Sequence, residues 1–183
     1  MDDKFLLIFG WITNLLSKQT SNVFEEGSNE AAILKRLKAD WGKEDTAKLL
    51  QKLTDEYGDK AGQTVEKFLE LNILRDWGAI GSMAAHEGSE IEDFIRILWH
   101  PLKDQGFEFT STQEDGKTTF CVTKCPVHAL AEETGMHDWL YTLACFTDCH
   151  MAQAFSPKIK FSRTKTLMEG QDICNHRYEY RHV

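Results

Sequence analysis

The hydrophobic positions of the chain change period once, near residue 103. Before that point apolar residues recur at helical spacing. Leu6, Phe9, Ile12, Leu15 and Leu16 form the first such set. Ser28-Asn29-Glu30 offers N-cap chemistry to a helix carrying Ile33, Leu34 and Leu37, which ends at Gly42. A third helix holds Ala47, Leu49, Leu50 and Leu53 and stops near Gly58. A fourth holds Val65, Phe68, Leu69, Ile73 and Leu74, with Gly78 and Gly81 expected to kink or end it. Glu90 to Phe94 opens a fifth, expected to stop before Pro101 because a residue ahead of proline is pushed out of the helical region.

After residue 103 the period shortens. Phe107, Phe109 and Ser111 alternate with polar residues, Glu114-Asp115-Gly116-Lys117 reads as a turn, and Thr119 to Thr123 returns as a strand. Pro126 begins a helix that ends near Gly135, and Asp138 is expected to cap another through Leu140, Leu143, Ala144 and Ala152. Lys158 to Arg163 alternates like a strand, and Ile173 to Tyr180 suits it as an antiparallel partner. The reading is an α+β fold: a helical N-terminal part (1–103), then a part (104–183) with a small antiparallel sheet packed with helices. The two parts are expected to form one integrated domain.

With 183 residues, 42% of them hydrophobic, the chain can bury a sizeable core. A net charge of -8 without a run of basic residues argues against a nucleic-acid groove or an anionic membrane surface. The longest apolar run, Phe5 to Ile12, is too short to span a bilayer, and Asp2-Asp3 ahead of it is wrong for a secretory signal. The expected compartment is the cytoplasm. Five cysteines in no regular framework are read as reduced thiols.

The groups suited to chemistry gather in the last third. On one continuous helix, Cys145, Asp148 and Cys149 at i, i+3 and i+4 would share a side. The bland alternative is two core thiols and a solvated cap. Alternation on a strand puts Cys174 and His176 on one face, with Asn175 and Arg177 on the other. A thiol beside an imidazole makes either a nucleophile and base or a pair of zinc ligands; a buried cysteine beside a surface histidine is the ordinary alternative. Arg163 carries a fork that matches a carboxylate, and hydroxyls surround it at Ser162, Thr164 and Thr166. Glu169-Gly170-Gln171-Asp172 reads as the turn between two strands. Cys121, Cys125 and His128 form a weaker metal-like set whose spacing fits no standard zinc knuckle. The five tryptophans are assigned to the core, and His86, His100, His137, His150 and His182 to the surface.

The run from Cys145 to Tyr178 resembles the L-2-amino-thiazoline-4-carboxylic acid hydrolase family. The matching positions are Cys145, Asp148, Pro157, Arg163, Thr164, Thr166, Leu167, Gly170 and Cys174. The likeness is good from about Cys121 to Tyr178 and only general in the helical half. Asn175 departs from the acid that the family often carries after its second cysteine. The resemblance implies a small-molecule hydrolase that opens a cyclic isothiourea or related C–N bond by thiol chemistry. In that reading Cys174, slightly preferred, or Cys145 is the nucleophile, Asp148 orients the ring and His176 moves protons. Arg163 holds a substrate carboxylate, with Thr164 and Asp172 as further substrate contacts. No cofactor is implied, no nucleic acid or membrane partner is expected, and a homo-oligomer is left open. Two rival readings stand beside it. One is a metal-binding or redox protein using Cys145, Cys149, Cys174 and His176, with zinc or another metal. The other is a non-catalytic small-molecule-binding module.

Overall fold

The computed structural model describes residues 4, 8–17, 23–43, 45–84 and 89–181. Phe5, Leu6 and Leu7 of the opening apolar run, and His86 and His182, fall outside them. The helical half contains α1 (Gly10–Ser17), α2 (Asn29–Asp40), α3 (Thr46–Tyr57), α4 (Asp59–Met83) and α5 (Glu90–Asp104). The Ser28 hydroxyl accepts the Ala31 amide and starts α2. Ser89 and Glu92 start α5 as a reciprocal capping box. Leu49, Leu50 and Leu53 of α3 and Val65, Phe68 and Leu69 of α4 are buried, as the helical spacing predicts. Among the described residues no helix is long and apolar enough to cross a membrane.

The second half adds β1 (Glu108–Glu114), β2 (Lys117–Lys124), α6 (Pro126–Thr134), α7 (His137–Leu140), α8 (Thr147–Phe155), β3 (Ile159–Ser162) and β4 (Cys174–Tyr180). The sheet is antiparallel, in the order β1-β2-β4-β3. Asp115 and Gly116 both take positive φ, at 50° and 72°, which closes the β1–β2 hairpin with a two-residue turn of the twist that strands prefer. The predicted α+β architecture is therefore the observed one.

Three local expectations are corrected. Gly78 and Gly81 do not kink or end α4, which runs unbroken for 25 residues. Gly81 instead allows a close helix crossing: a Cβ there would lie 2.0 Å from the Phe155 carbonyl oxygen at the end of α8. Pro101 lies inside α5 rather than beyond it. The proline removes one amide from the helix ladder, but packing holds the segment on either side. Trp99 is buried with its Nε1–H on the Tyr178 hydroxyl at 3.2 Å, and Leu102 packs on the same core. Asp138 is not an N-cap; Met136 holds that place, and Asp138 sits in the first turn of α7.

Both core clusters draw on both ends of the chain. One joins α1 to α4 with Val127, Leu130 and Ala131 of α6, Trp139 and Leu140 of α7, and Leu143. The other packs Ile91, Phe94 and Trp99 of α5 on the inner face of the sheet, through Phe120, Val122, Cys174 and Tyr178. Trp99 stacks on Phe120 at 4.0 Å between ring centroids. Each such side chain contributes about 1.5–3 kcal/mol by leaving water.

Candidate functional site

The helical path from His137 to Phe155 is not one regular helix. Between α7 and α8, residues Tyr141–Cys145 form a π turn, with the Phe146 amide bonded to the Tyr141 carbonyl at 2.9 Å. Such a turn takes up one more residue than an α turn and is frequent at functional sites. Cys145 and Asp148 face the interior, whereas Cys149 is exposed and points its sulfur at the Phe146 carbonyl.

The turn also leaves the Cys145 carbonyl to accept from Arg163 Nη2 at 3.3 Å. Arg163 follows β3 directly, and its guanidinium is held on several sides. Nη1 donates to Asp148 Oδ2, and Nη2 also donates to the Tyr141 hydroxyl at 3.3 Å. Burial opposes the positive charge of Arg163, but Asp148, Cys145 and Tyr141 together outweigh it and raise the pKa. On β4, alternation turns Cys174, His176 and Tyr178 inward, as expected. His176 Nε2 lies 3.2 Å from Asp148 Oδ2 and 3.5 Å from Arg163 Nη1. A carboxylate only accepts and a guanidinium only donates, so the tautomer protonated at Nε2 makes the hydrogen bond to Asp148. Among the described residues Nδ1 is buried without a hydrogen-bond partner. The edge of Trp99 and the ring of Phe161 hold the imidazole in place.

The thiols differ in setting. Burial, with Asp148 close by, pushes the Cys145 thiol far up, so it keeps its proton. Burial also pushes Cys125 up to about 11. The Cys174 sulfur accepts the Leu167 amide at 3.2 Å and donates to Thr166 Oγ1 at 3.5 Å. Cys174 and His176 share the inward face, but the imidazole bonds to Asp148 and the thiol to Leu167 and Thr166. Cys121 pairs across the ladder with Asn175, away from the inward face of Phe120 and Val122. The ligand set Cys121, Cys125 and His128 therefore does not come together. Among the described residues, His128, Glu132 and His137 are the three metal-capable groups whose ligand atoms lie within 4.8 Å of one another. Cys145, Cys149, Cys174 and His176 do not converge in that way.

Asp148, Arg163, His176, Cys125, Cys145 and Cys174 line one end of a cavity of about 510 Å³. The rest of its wall is mostly apolar, with Phe9 from the N-terminal segment, Ile73 and Trp77 from α4, and Leu98, Trp99 and Leu102 from α5. Thr164 and Asp172 are exposed and lie outside it. Asn175 Oδ1 accepts the amides of Thr164 and Lys165 at 2.9 and 2.7 Å, and its Nδ2 donates to Thr164 Oγ1. The residue that departs from the family pattern thus clasps the loop after Arg163. Asp172 pairs with Lys165 at 3.3 Å. Sequence reasoning missed Tyr141 as an Arg163 partner. It also missed Trp77 and Trp99 as cavity walls, since nothing local separates a wall tryptophan from a core one.

The phenol-responsive sensory domain of the transcription activator PoxR, solved with phenol, is similar in fold, with a TM-score of 0.51 at 12% identity over 74% of this chain and 72% of that one. An H-NOX domain from Shewanella oneidensis aligns over 96% of this chain and 89% of that one at 8% identity, but its TM-score of 0.39 is too low to carry an argument. No curated protein matches the chain. The sequence model of the L-2-amino-thiazoline-4-carboxylic acid hydrolase family matches residues 21–178, the helical half included, and the chain belongs to that family.

Proposed function

We propose that the chain binds a compact ring compound in this cavity and opens it by hydrolysis, with Cys174 as the nucleophile. The observation that supports this reading is the meeting of Asp148, Arg163, His176 and Cys174 at one end of an otherwise apolar chamber. The size and character of that chamber suit a small-molecule ligand. The family supplies the reaction class, ring opening of a cyclic isothiourea. The Cys174 sulfur bonds to the amidine carbon while the ring sulfur leaves and takes a proton. Water then adds to the same carbon and Cys174 leaves with its proton. The product holds a urea carbonyl and a free thiol, for a net uptake of one water.

Cys174 is preferred over Cys145 because it shares the inward strand face with His176, while burial with Asp148 close by keeps the Cys145 thiol protonated. The Arg163 fork is already engaged, so its part in this reading is to fix Asp148 rather than to clamp a substrate carboxylate. Asp148 and His176 meet the polar end of the ring. The reduced thiols this chemistry needs fit the cytoplasm.

Thiol release from L-2-amino-thiazoline-4-carboxylate is the direct assay. Cys174→Ala is expected to stop turnover while binding, read by tryptophan fluorescence, persists. Full turnover by that variant excludes the thiol route. A second reading, ligand binding without turnover, is favoured by the apolar wall and by the likeness to a sensory domain solved with phenol. Saturable binding of phenol together with no hydrolysis of any cyclic isothiourea would favour it.

A further inference from the structure

His128 and Glu132 lie one helical turn apart on α6, so both side chains leave the same face. Gly135, at φ 71°, ends the helix in a left-handed turn. The chain then comes back as α7, with His137 as its first residue. Leu130 and Ala131 on one side of the turn, and Trp139 and Leu140 on the other, are buried in a shared core. Their packing fixes the turn and with it the spacing of the three side chains. His137 Nε2 lies 2.8 Å and His128 Nε2 3.5 Å from the same oxygen, Oε1 of Glu132. One carboxylate needs a single imidazole to make an ion pair; here two ring nitrogens converge on it.

We propose that His128, Glu132 and His137 form a binding site for a divalent first-row transition metal ion, with zinc as the reference case. Two imidazoles and a carboxylate suit zinc, nickel or cobalt and do not suit magnesium or calcium, which take oxygen ligands. The exposure of Glu132 leaves the remaining coordination positions open to solvent. His137 opens onto a separate polar cleft of about 430 Å³, also lined by Glu66, Asp138 and Thr142. None of the three ligands lines the large cavity, so the proposal stands apart from the hydrolase reading. The site joins the end of α6 to the start of the helical path that carries Cys145 and Asp148, and its metal would fasten that joint.

The test uses the whole untagged chain, stripped with chelator and titrated with Zn²⁺ by calorimetry, then with Co²⁺ by visible absorption. One equivalent is expected to bind, with weak d–d bands and no intense thiolate-to-cobalt band. Glu132→Ala and His137→Ala remove first-sphere ligands. Each is expected to weaken binding by more than the roughly 10–100-fold that outer-sphere changes cost. Zn²⁺ should raise the Tm of the parent chain and leave that of His137→Ala unmoved. Glu132 is exposed, so its variant reports on the site without disturbing the core. Zinc affinity unchanged by both variants, a strong thiolate band, or no binding of Zn²⁺ at all overturns the proposal.

Discussion

Arg163 and Asp148 cost free energy to bury, and a buried ion pair is seldom a gain in stability over apolar side chains of the same size. Breaking one side of it is a different matter. Arg163→Met strands Asp148 beside His176 and is expected to lower stability by about 3 kcal/mol in urea melts. The double variant with Asp148→Leu should recover most of that loss, since no uncompensated charge remains. Cys125 gives a second residue-scale expectation. Its ordinary thiol pKa of 9.0 is raised by burial to about 11 in the folded chain. Below pH 9 folded and unfolded chains both hold that proton. Between 9 and 11 only the folded chain keeps it, so stability falls as pH rises, by on the order of 2–3 kcal/mol from this group. Cys125→Ser should flatten the alkaline limb of a stability profile relative to the parent. As for what the residues disclosed, the inward facing of Cys174 and His176 was legible because strand alternation is a local rule. The pairing of Arg163 was not, because its partners come from the π turn, α8 and β4, brought together only by the fold.

At the scale of elements, Gly81 and Gly62 make a matched pair on α4. A Cβ at Gly81 would run into the Phe155 backbone at 2.0 Å, whereas at Gly62 none of the described residues lies within 4 Å. Gly81→Ala is therefore expected to push α4 and α8 apart and cost about 1–3 kcal/mol. Gly62→Ala should gain up to about 1 kcal/mol from helix propensity. Thermal melts of the two variants should move in opposite directions. The sequence displayed both glycines alike, and helix propensity alone reads either as a break. What separates them is a neighbour 74 positions further along the chain, which no local pattern contains. The same reason hid the continuation of α5 through Pro101, where the burial of Trp99 and Leu102 overrides a local stop signal. The hairpin, β3 and β4 were readable because their turn chemistry and alternation are complete within each segment.

On the scale of the whole molecule, the cavity is a product of assembly: its walls come from the N-terminal segment, α4, α5, the π turn and the sheet. Filling it should separate binding from folding. Ala144 lines it and is half-buried, so Ala144→Trp is expected to abolish ligand-induced quenching of Trp77 and Trp99 and any ligand-dependent rise in Tm. The fold itself should be retained by circular dichroism. A last consequence comes from the π turn. Removing one residue from it would restore even winding and swing everything beyond it by about 100° about the axis. Asp148 would then face away from Arg163, while the stretch up to Leu140 kept its register. Losing a single codon there would thus take Asp148 out of the lining of the chamber and re-aim its chemistry.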